Sequence, residues 1–304
     1  MSIGLAPHLF CFGLGYTAET LARRLLDEGW RISGTTRSEE TQATLRALGI
    51  EAHLFDRARP LADIDTLLSD VTDLLSSVPP DAAGDPVLDM HGTAIEQAPA
   101  LRWVGYLSTT GVYGDTGGAL VDEHTPLAPT SQRSTRRLKA ERAWLDRPWP
   151  EQVAVQVFRL AGIYGPGRSA FDRIRAGDAK RIDKPGHVSS RIHVDDVATI
   201  LRASMARPER AGIYNVCDDD PAPPADVIAY ACALLGVPSP PLISLEQAAK
   251  EMSAMAASFW VDNRRVDNTR IKRDLGVRLR YPDYRAGLAA ILSGTARVES
   301  ASNS

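Results

Sequence analysis

Cysteine is scarce: Cys11, Cys217 and Cys232 are scattered through 304 residues. Three isolated thiols form neither a disulfide framework nor a zinc-ligand spacing. Cys11 falls inside an apolar strand pattern and reads as a core thiol. The six histidines are dispersed too, so no metal is expected. Charge of one sign is also lacking. Lys plus Arg is 35 against 38 Asp plus Glu, a net of −3. No global basic field exists to hold a nucleic acid or an anionic membrane. No apolar run approaches the ~20 residues of a membrane span, and the opening MSIGLAPHLFCFGLG shows no secretory signal pattern. The expectations are a cytoplasmic location with no nucleic-acid and no membrane partner. What is present, 44% hydrophobic and 24% charged residues, is ordinary globular composition, long enough for one large domain or two smaller ones.

Strand and helix patterns alternate along the first half. Residues 9–12 form a short apolar run that stops at Gly13. Ala18, Leu21, Ala22, Leu25 and Leu26 then recur at helical spacing, with Gly29 just beyond. Residues 31–36 predict a second strand. Ser38 can cap a helix reaching Leu48, with Glu39 and Glu40 suited to the positive end of its dipole. Further strands are expected at 51–55, 73–78, 103–108 and 153–158, and a long polar helix at 131–145. The alternation predicts an α/β fold, a doubly wound parallel sheet of Rossmann type. After Leu160 the texture changes. Residues 162–167 are rich in Gly and Pro, short strands are expected at 192–194 and 213–216, and helices at 225–235 and 245–256. The expected organisation is a dinucleotide-binding domain, 1–161 and 191–217, with a smaller α/β substrate lobe, 162–190 and 218–304.

Gly13-Leu14-Gly15-Tyr16-Thr17-Ala18 reads G-x-G-x-x-A between a predicted strand and a predicted helix. Gly13 permits a tight turn. Gly15 has no Cβ, so backbone can approach a pyrophosphate. Ala18 allows close helix–strand packing, and the helix N-terminus offers free N–H groups to phosphate. Tyr16 and Thr17 open that helix and join the candidate cofactor contacts. At the end of the second strand, where a carboxylate would grip the ribose of NAD, the chain has Thr36, Arg37 and Ser38. An Arg beside hydroxyls suits a 2′-phosphate, so NADP(H) is expected over NAD(H). Asp56, after the third strand, is placed to accept from the adenine amino group.

These motifs continue in order: Leu107-Ser108-Thr109, Val112-Tyr113-Gly114, residues 159–167 (RLAGIYGPG), residues 192–196 (IHVDD), residues 213–216 (IYNV), then Leu275-Gly276 and Tyr281-Pro282. Together they resemble the extended short-chain dehydrogenase/reductases, the NAD(P)-dependent epimerase/dehydratase-like superfamily. That superfamily carries Tyr-x-x-x-Lys on the helix after strand five, Tyr as general acid/base and Lys lowering its pKa. Alignment on Pro129, Ser131, Ala140 and Glu141 puts Arg133 and Arg137 at those positions. Arginine keeps its proton at ordinary pH and cannot shuttle it. The chain therefore looks like an atypical member lacking the pair. The resemblance implies that Thr109 supplies the usual hydroxyl, that Arg137 holds a ribose or phosphate, and that Asp89 stands loosely where a supporting Asn would be. Ser77, Val78 and Pro79 after strand four, and Leu160, join the cofactor set.

Other departures bear on the substrate. Dehydratases of the superfamily have Asp-Glu where this chain has Thr110-Gly111, and epimerases place a diphosphate-binding Arg where it has Ser189. Arg191 can pair with Asp195 or Asp196, and Arg168, Arg173 or Arg175 can offer substitute charge. Tyr164, in a Tyr-Gly-Pro-Gly turn between the lobes, is either a replacement proton donor or a packed tyrosine. Tyr113 and His193 read as structural groups. Phe259 and Trp260 either wall a pocket or pack a core. The implied function is an NADP(H)-dependent oxidoreductase moving hydride to or from an unidentified small molecule, with Thr109 and Tyr164 as candidate catalytic groups. Two alternatives stay open, a catalytically silent NADP(H)-binding redox sensor and an epimerase-like enzyme with a rebuilt site. A homodimer is left possible.

Overall fold

The computed structural model describes residues 6–302 apart from 254, 255 and 258. Seven strands make the central sheet: β1 (His8–Phe12), β2 (Arg31–Thr36), β3 (Glu51–Leu54), β4 (Asp73–Ser76), β5 (Trp103–Thr109), then, after a short β6 (Leu120–Val121), β7 (Ala154–Leu160). The seventh is β11 (Gly212–Val216), which follows β8 (Gly162–Tyr164), β9 (Arg181–Asp183) and β10 (Arg191–His193). The order across the sheet is β11-β7-β5-β4-β1-β2-β3, with all pairs parallel. The expected doubly wound sheet is present. Strand order reverses between β1 and β4, and the crevice beyond their carboxyl ends is where such folds bind ligands.

Both faces of the sheet are covered, which is why several of its strands, such as residues 9–12 and 103–107, are mostly apolar. One face packs on α1 (Tyr16–Asp27) and, later in the chain, α7 (Val194–Met205), burying Leu21, Leu25, Ile200 and Leu201. The other face lies under α3 (Ile64–Leu68), α4 (Pro86–Glu96) and α5 (Gln132–Leu145), burying Phe10, Phe12, Ile95, Tyr106 and Trp144. α2 (Glu39–Ala47) is capped by the Ser38 side chain, which accepts from Thr41 N–H. The sequence analysis left α3 and α4 unassigned. The start of α4 nevertheless has local signals: Asp85 accepts from the Val87 and Leu88 N–H groups, and Pro86 occupies the first turn.

Outside the main sheet, short strands and helices drawn mostly from the chain beyond β7 form a second set of pairings. β10 pairs with β8, β9 pairs with β12 (Leu242–Ser244), and β6 pairs with β13 (Arg265–Val266). The predicted strand at 192–194 is thus β10 and stays outside the main sheet, while 213–216 joins it as β11. α6 (Ala170–Arg175) and α8 (Pro224–Leu235) share a small core with Phe171, Ala231, Tyr284 and Leu288. Among the described residues no helix is long and apolar enough to cross a membrane.

Candidate functional site

The turn after β1 is held from several sides. Gly13 has φ +86°, a conformation only glycine adopts freely. Its N–H donates to Thr35 Oγ1 at 2.9 Å, the Leu14 N–H donates to the Thr35 carbonyl at 2.7 Å, and Ser77 Oγ donates to the Gly13 carbonyl. A Cβ on Gly13 would meet Ser77 Oγ at 2.8 Å and Val78 Cγ2 at 3.2 Å. Gly15 is the N-cap of α1, with no side chain capping that end, and a Cβ built on it meets nothing within 4 Å. The open space there, facing uncapped N–H groups at a helix N-terminus, fits a pyrophosphate. A nicotinamide dinucleotide therefore suits the residues present. Ser77 and Val78 brace this turn, and Pro79 is exposed just beyond.

At the ends of β2 and β3 the structure brings together Arg37, Asp56 and a residue the sequence analysis passed over, Arg59. Arg59 Nη2 donates to the Arg37 carbonyl at 3.4 Å and to Asp56 Oδ2 at 3.0 Å. The Arg59 hydrogen bond holds the Asp56 carboxyl below the usual carboxylate range, and the Ala58 N–H also donates to it. Asp56 is thus already engaged, and two exposed guanidinium groups, Arg37 and Arg59, stand at this end. The local signal was the Asp56-Arg57-Ala58-Arg59 turn, in which residues i and i+3 approach.

A cleft of about 620 Å³ runs from Gly15, Tyr16 and Thr17 past Ser77 to Thr109 and Leu160. Thr109 ends β5, and its Oγ1 accepts from the Gly111 N–H at 3.1 Å, so its hydrogen remains available to donate. The turn after it packs on α5, where a Cβ on Gly111 would meet Ser134 Oγ at 2.8 Å. Arg133 and Arg137 of α5 both line this cleft. Arg137 Nη1 donates to the Leu107 carbonyl at 2.9 Å and to Tyr106 Oη at 3.1 Å. Tyr16 also lines the cleft, and its hydroxyl donates to the Pro166 carbonyl at 3.0 Å. Burial pushes its pKa up to about 12, with Arg168 acting against that rise.

Beneath Thr109 lies a buried network. Arg159 donates to both Glu141 oxygens and to Tyr113 Oη, Tyr113 donates to Asn215 Oδ1 at 2.7 Å, and Ser108 donates to Glu141. Burial would lower the Arg159 pKa, but hydrogen bonding and charge from Glu141 outweigh it. This network pins β5, β7, β11 and α5 together and uses up the Tyr113 hydroxyl, as a structural tyrosine would.

Tyr164 is placed elsewhere. Its hydroxyl donates to the Asp283 carbonyl at 3.3 Å and fills the space left by the missing side chain of Gly287. It lines an outer cavity of about 1020 Å³ and not the one with Thr109. Burial raises its pKa far above the ordinary phenol range. The structure does not bring the two candidate catalytic residues into one site. Asp89 is away from the site as well, paired with Arg57 on the outer side of α4. Arg191 pairs with neither Asp195 nor Asp196; it donates to the Ala222 carbonyl and feels the charge of Asp218. His193 caps α7 by accepting from the Asp195 N–H at 3.2 Å, a structural role. Phe259 lines both cavities, and Trp260 packs on His187 at 5.1 Å between ring centroids. Arg264 and Asp262 also line the cleft and were missed, because what places them is non-local: Arg264 donates to the Gly114 carbonyl, 150 residues away.

Known proteins share this architecture. No protein-family model matches the chain. A conserved protein of unknown function from Silicibacter pomeroyi DSS is 50% identical, with a TM-score of 0.87 over 95% of this chain and 99% of that one. A Methylobacillus flagellatus protein assigned as an NAD-dependent epimerase/dehydratase is 27% identical, TM-score 0.73, over 96% and 100%. Among curated proteins, YeeZ of Escherichia coli K12 is 29% identical across 89% of this chain and 95% of its own length. A 3-diazoavenalumate denitrifying reductase of Streptomyces is 30% identical over 45% of this chain and 46% of its own. The chain belongs to one family with the Silicibacter pomeroyi protein, and its structural neighbours include NAD-dependent epimerase/dehydratase-like members of the short-chain dehydrogenase/reductase superfamily.

Proposed function

We propose that this protein is an NADP(H)-dependent oxidoreductase acting on a small molecule by hydride transfer. The observation that carries the reading is the continuity of one cleft, lined both by the open Gly15 position and by Thr109. NADP(H), when bound, supplies or accepts the hydride. The uncapped N-terminus of α1 holds its pyrophosphate, and Arg37, with Arg59 beside it, favours a 2′-phosphate over a bare ribose hydroxyl. Thr36 and Ser38 flank Arg37 at that end. Thr109 donates to the oxygen or nitrogen of the reacting group, where negative charge grows as hydride arrives. The α5 arginines stay protonated and add positive potential without moving a proton. The proton comes from water or an unassigned group, since Tyr164 and Tyr113 are both committed elsewhere. The Streptomyces relative, a reductase, supports the direction of a reduction.

The experiment is a fluorescence titration with NADPH followed by stereospecific deuterium loss from 4-deuterated NADPH in the presence of carbonyl and imine libraries. Binding with turnover supports the enzyme. Tight binding with no turnover and a redox-dependent partner on pull-down supports the sensor instead, a reading favoured by Arg133 and Arg137 at the positions of the superfamily pair. No binding of either nicotinamide cofactor overturns both.

A further inference from the structure

The cleft is unusual in its charge. Four arginines line it, Arg133, Arg137, Arg168 and Arg264, against one carboxylate, Asp262. Elsewhere in this net-acidic chain several arginines meet carboxylates, among them Arg57 with Asp81 and Asp89, Arg159 with Glu141 and Arg285 with Asp220, while others, such as Arg46 and Arg191, bond carbonyls. Among the described residues of the cleft only Arg264 meets a carboxylate, Asp262 at 3.0 Å. Arg137 bonds neutral acceptors, Tyr106 and the Leu107 carbonyl. Arg168 lies over the Tyr16 ring at 5.8 Å. Arg133 is exposed and makes no hydrogen bond or ion pair among the described residues. Guanidinium groups gathered without counter-charge repel one another, a cost that an anionic ligand relieves.

The cofactor accounts for part of this charge. Arg168 stands beside Tyr16 at the phosphate end of the cleft. Arg133 and Arg137 stand on α5 with Thr109, which ends a strand two positions across the sheet from β1. The nicotinamide ring brings no negative charge to that end in either redox state. A second observation concerns shape. Phe259 is 65% exposed, and with Ile163 it lines both this cleft and the outer cavity of about 1020 Å³, whose wall also includes Ile182, Met252 and Trp260. A cationic floor thus adjoins an apolar wall.

We propose that the substrate is an organic carboxylate with an apolar body. Arg133 with Arg137 holds the carboxylate, and Phe259 covers the body where it passes into the outer cavity. Guanidinium and carboxylate match as planar forks. The proposal rests on the reading that the cleft holds the reacting end of NADP(H).

The test is calorimetry on the full-length protein loaded with NADPH, using unreactive probes: 3-phenylpropionate, its amide, acetate and phenyl phosphate. The acid is expected to bind about tenfold or more tighter than the amide, the yield of one charge-assisted hydrogen bond. It should also outbind acetate. Arg133→Gln should erase the preference over the amide while NADPH affinity changes by less than about threefold, since the phosphate contacts lie elsewhere. Phe259→Ala should erase the preference over acetate and keep the charge preference. Equal binding of acid and amide, or no saturation at millimolar acid, overturns the proposal. So does an Arg133→Gln variant that weakens NADPH as much as the acid, because the guanidinium then serves the cofactor. A preference for phenyl phosphate keeps the anion and overturns the carboxylate. Failure of NADPH itself to bind overturns the function beneath it, and is distinguishable because it is seen before any probe is added.

Discussion

Removing Arg37 and Arg59 one at a time separates recognition of the 2′-phosphate from binding of the rest of the cofactor. Their backbone and side-chain groups meet at the ends of β2 and β3, where Arg59 Nη2 is 3.4 Å from the Arg37 carbonyl. A charge-assisted hydrogen bond to phosphate contributes ~1.5–3 kcal/mol when shielded. Both arginines are exposed, and solvent screening brings each toward ~1 kcal/mol. Arg37→Ala should therefore weaken NADPH about five- to tenfold and NADH hardly at all. Arg59 already spends part of its charge on Asp56, 3.0 Å away, so Arg59→Ala should cost NADPH somewhat less. It has a second effect. Freed from Arg59, the Asp56 carboxylate can accept from ribose hydroxyls, and NADH should bind slightly tighter. The double variant should come close to equal affinity for the two cofactors, if the two contributions add. The assay is fluorescence titration of NADPH and NADH on all four proteins at one ionic strength, because screening acts on this contact directly. Equal binding of the two cofactors by the wild type would refute the reasoning, and so would an Arg37→Ala variant that weakens both alike.

Three further predictions concern other parts of the molecule. Gly15→Val should abolish NADPH binding while shifting the melting temperature only slightly, because its Cβ meets no protein atom within 4 Å; retained affinity would remove the pyrophosphate from that position. Thr109→Val should lower turnover ~10²–10³-fold with NADPH affinity unchanged, and Thr109→Ser should recover most of it; equal rates in Thr109→Val would exclude the hydroxyl from the chemistry. Burial raises the Asp218 carboxyl from 3.8 to about 8, with Arg191 opposing the rise. The folded protein thus binds this proton more tightly than the unfolded chain, so its contribution to stability is full below pH 3.8 and is lost as pH climbs toward 8. Asp218→Asn should stabilise the protein at pH 8 by on the order of 5 kcal/mol at most, each tenfold in proton affinity being ~1.4 kcal/mol, and leave it unchanged in acid; thermal melts across pH showing no such divergence would contradict it.

The glycine turn was legible because everything that makes it is local. Six residues, Gly13 to Ala18, contain the turn, the helix start and the small packing residue, and the structure adds only the bracing by Ser77 and Thr35. The seven-stranded sheet was legible for a related reason: strands buried on both faces are predominantly apolar, and their alternation with helices admits few topologies. β10 could not be placed by that route, since a three-residue strand carries no record of its partner. What a side chain bonds was the least legible property, and in this protein it decides the chemistry. Tyr164 sits in a turn that any reader would place near the mouth of the cleft, yet its hydroxyl is claimed by Asp283, 119 residues on. Arg191 looks ready to pair with the acids of its own segment and turns to Ala222 instead. Arg133 is the converse. Alignment marks it as the loss of a tyrosine, and only the fold shows that nothing in the described chain took its charge in exchange. On the proposed reading, an uncompensated cation where a proton donor is expected alters which substrate the cleft can hold, and that alteration is invisible until the partners of every neighbouring arginine have been found.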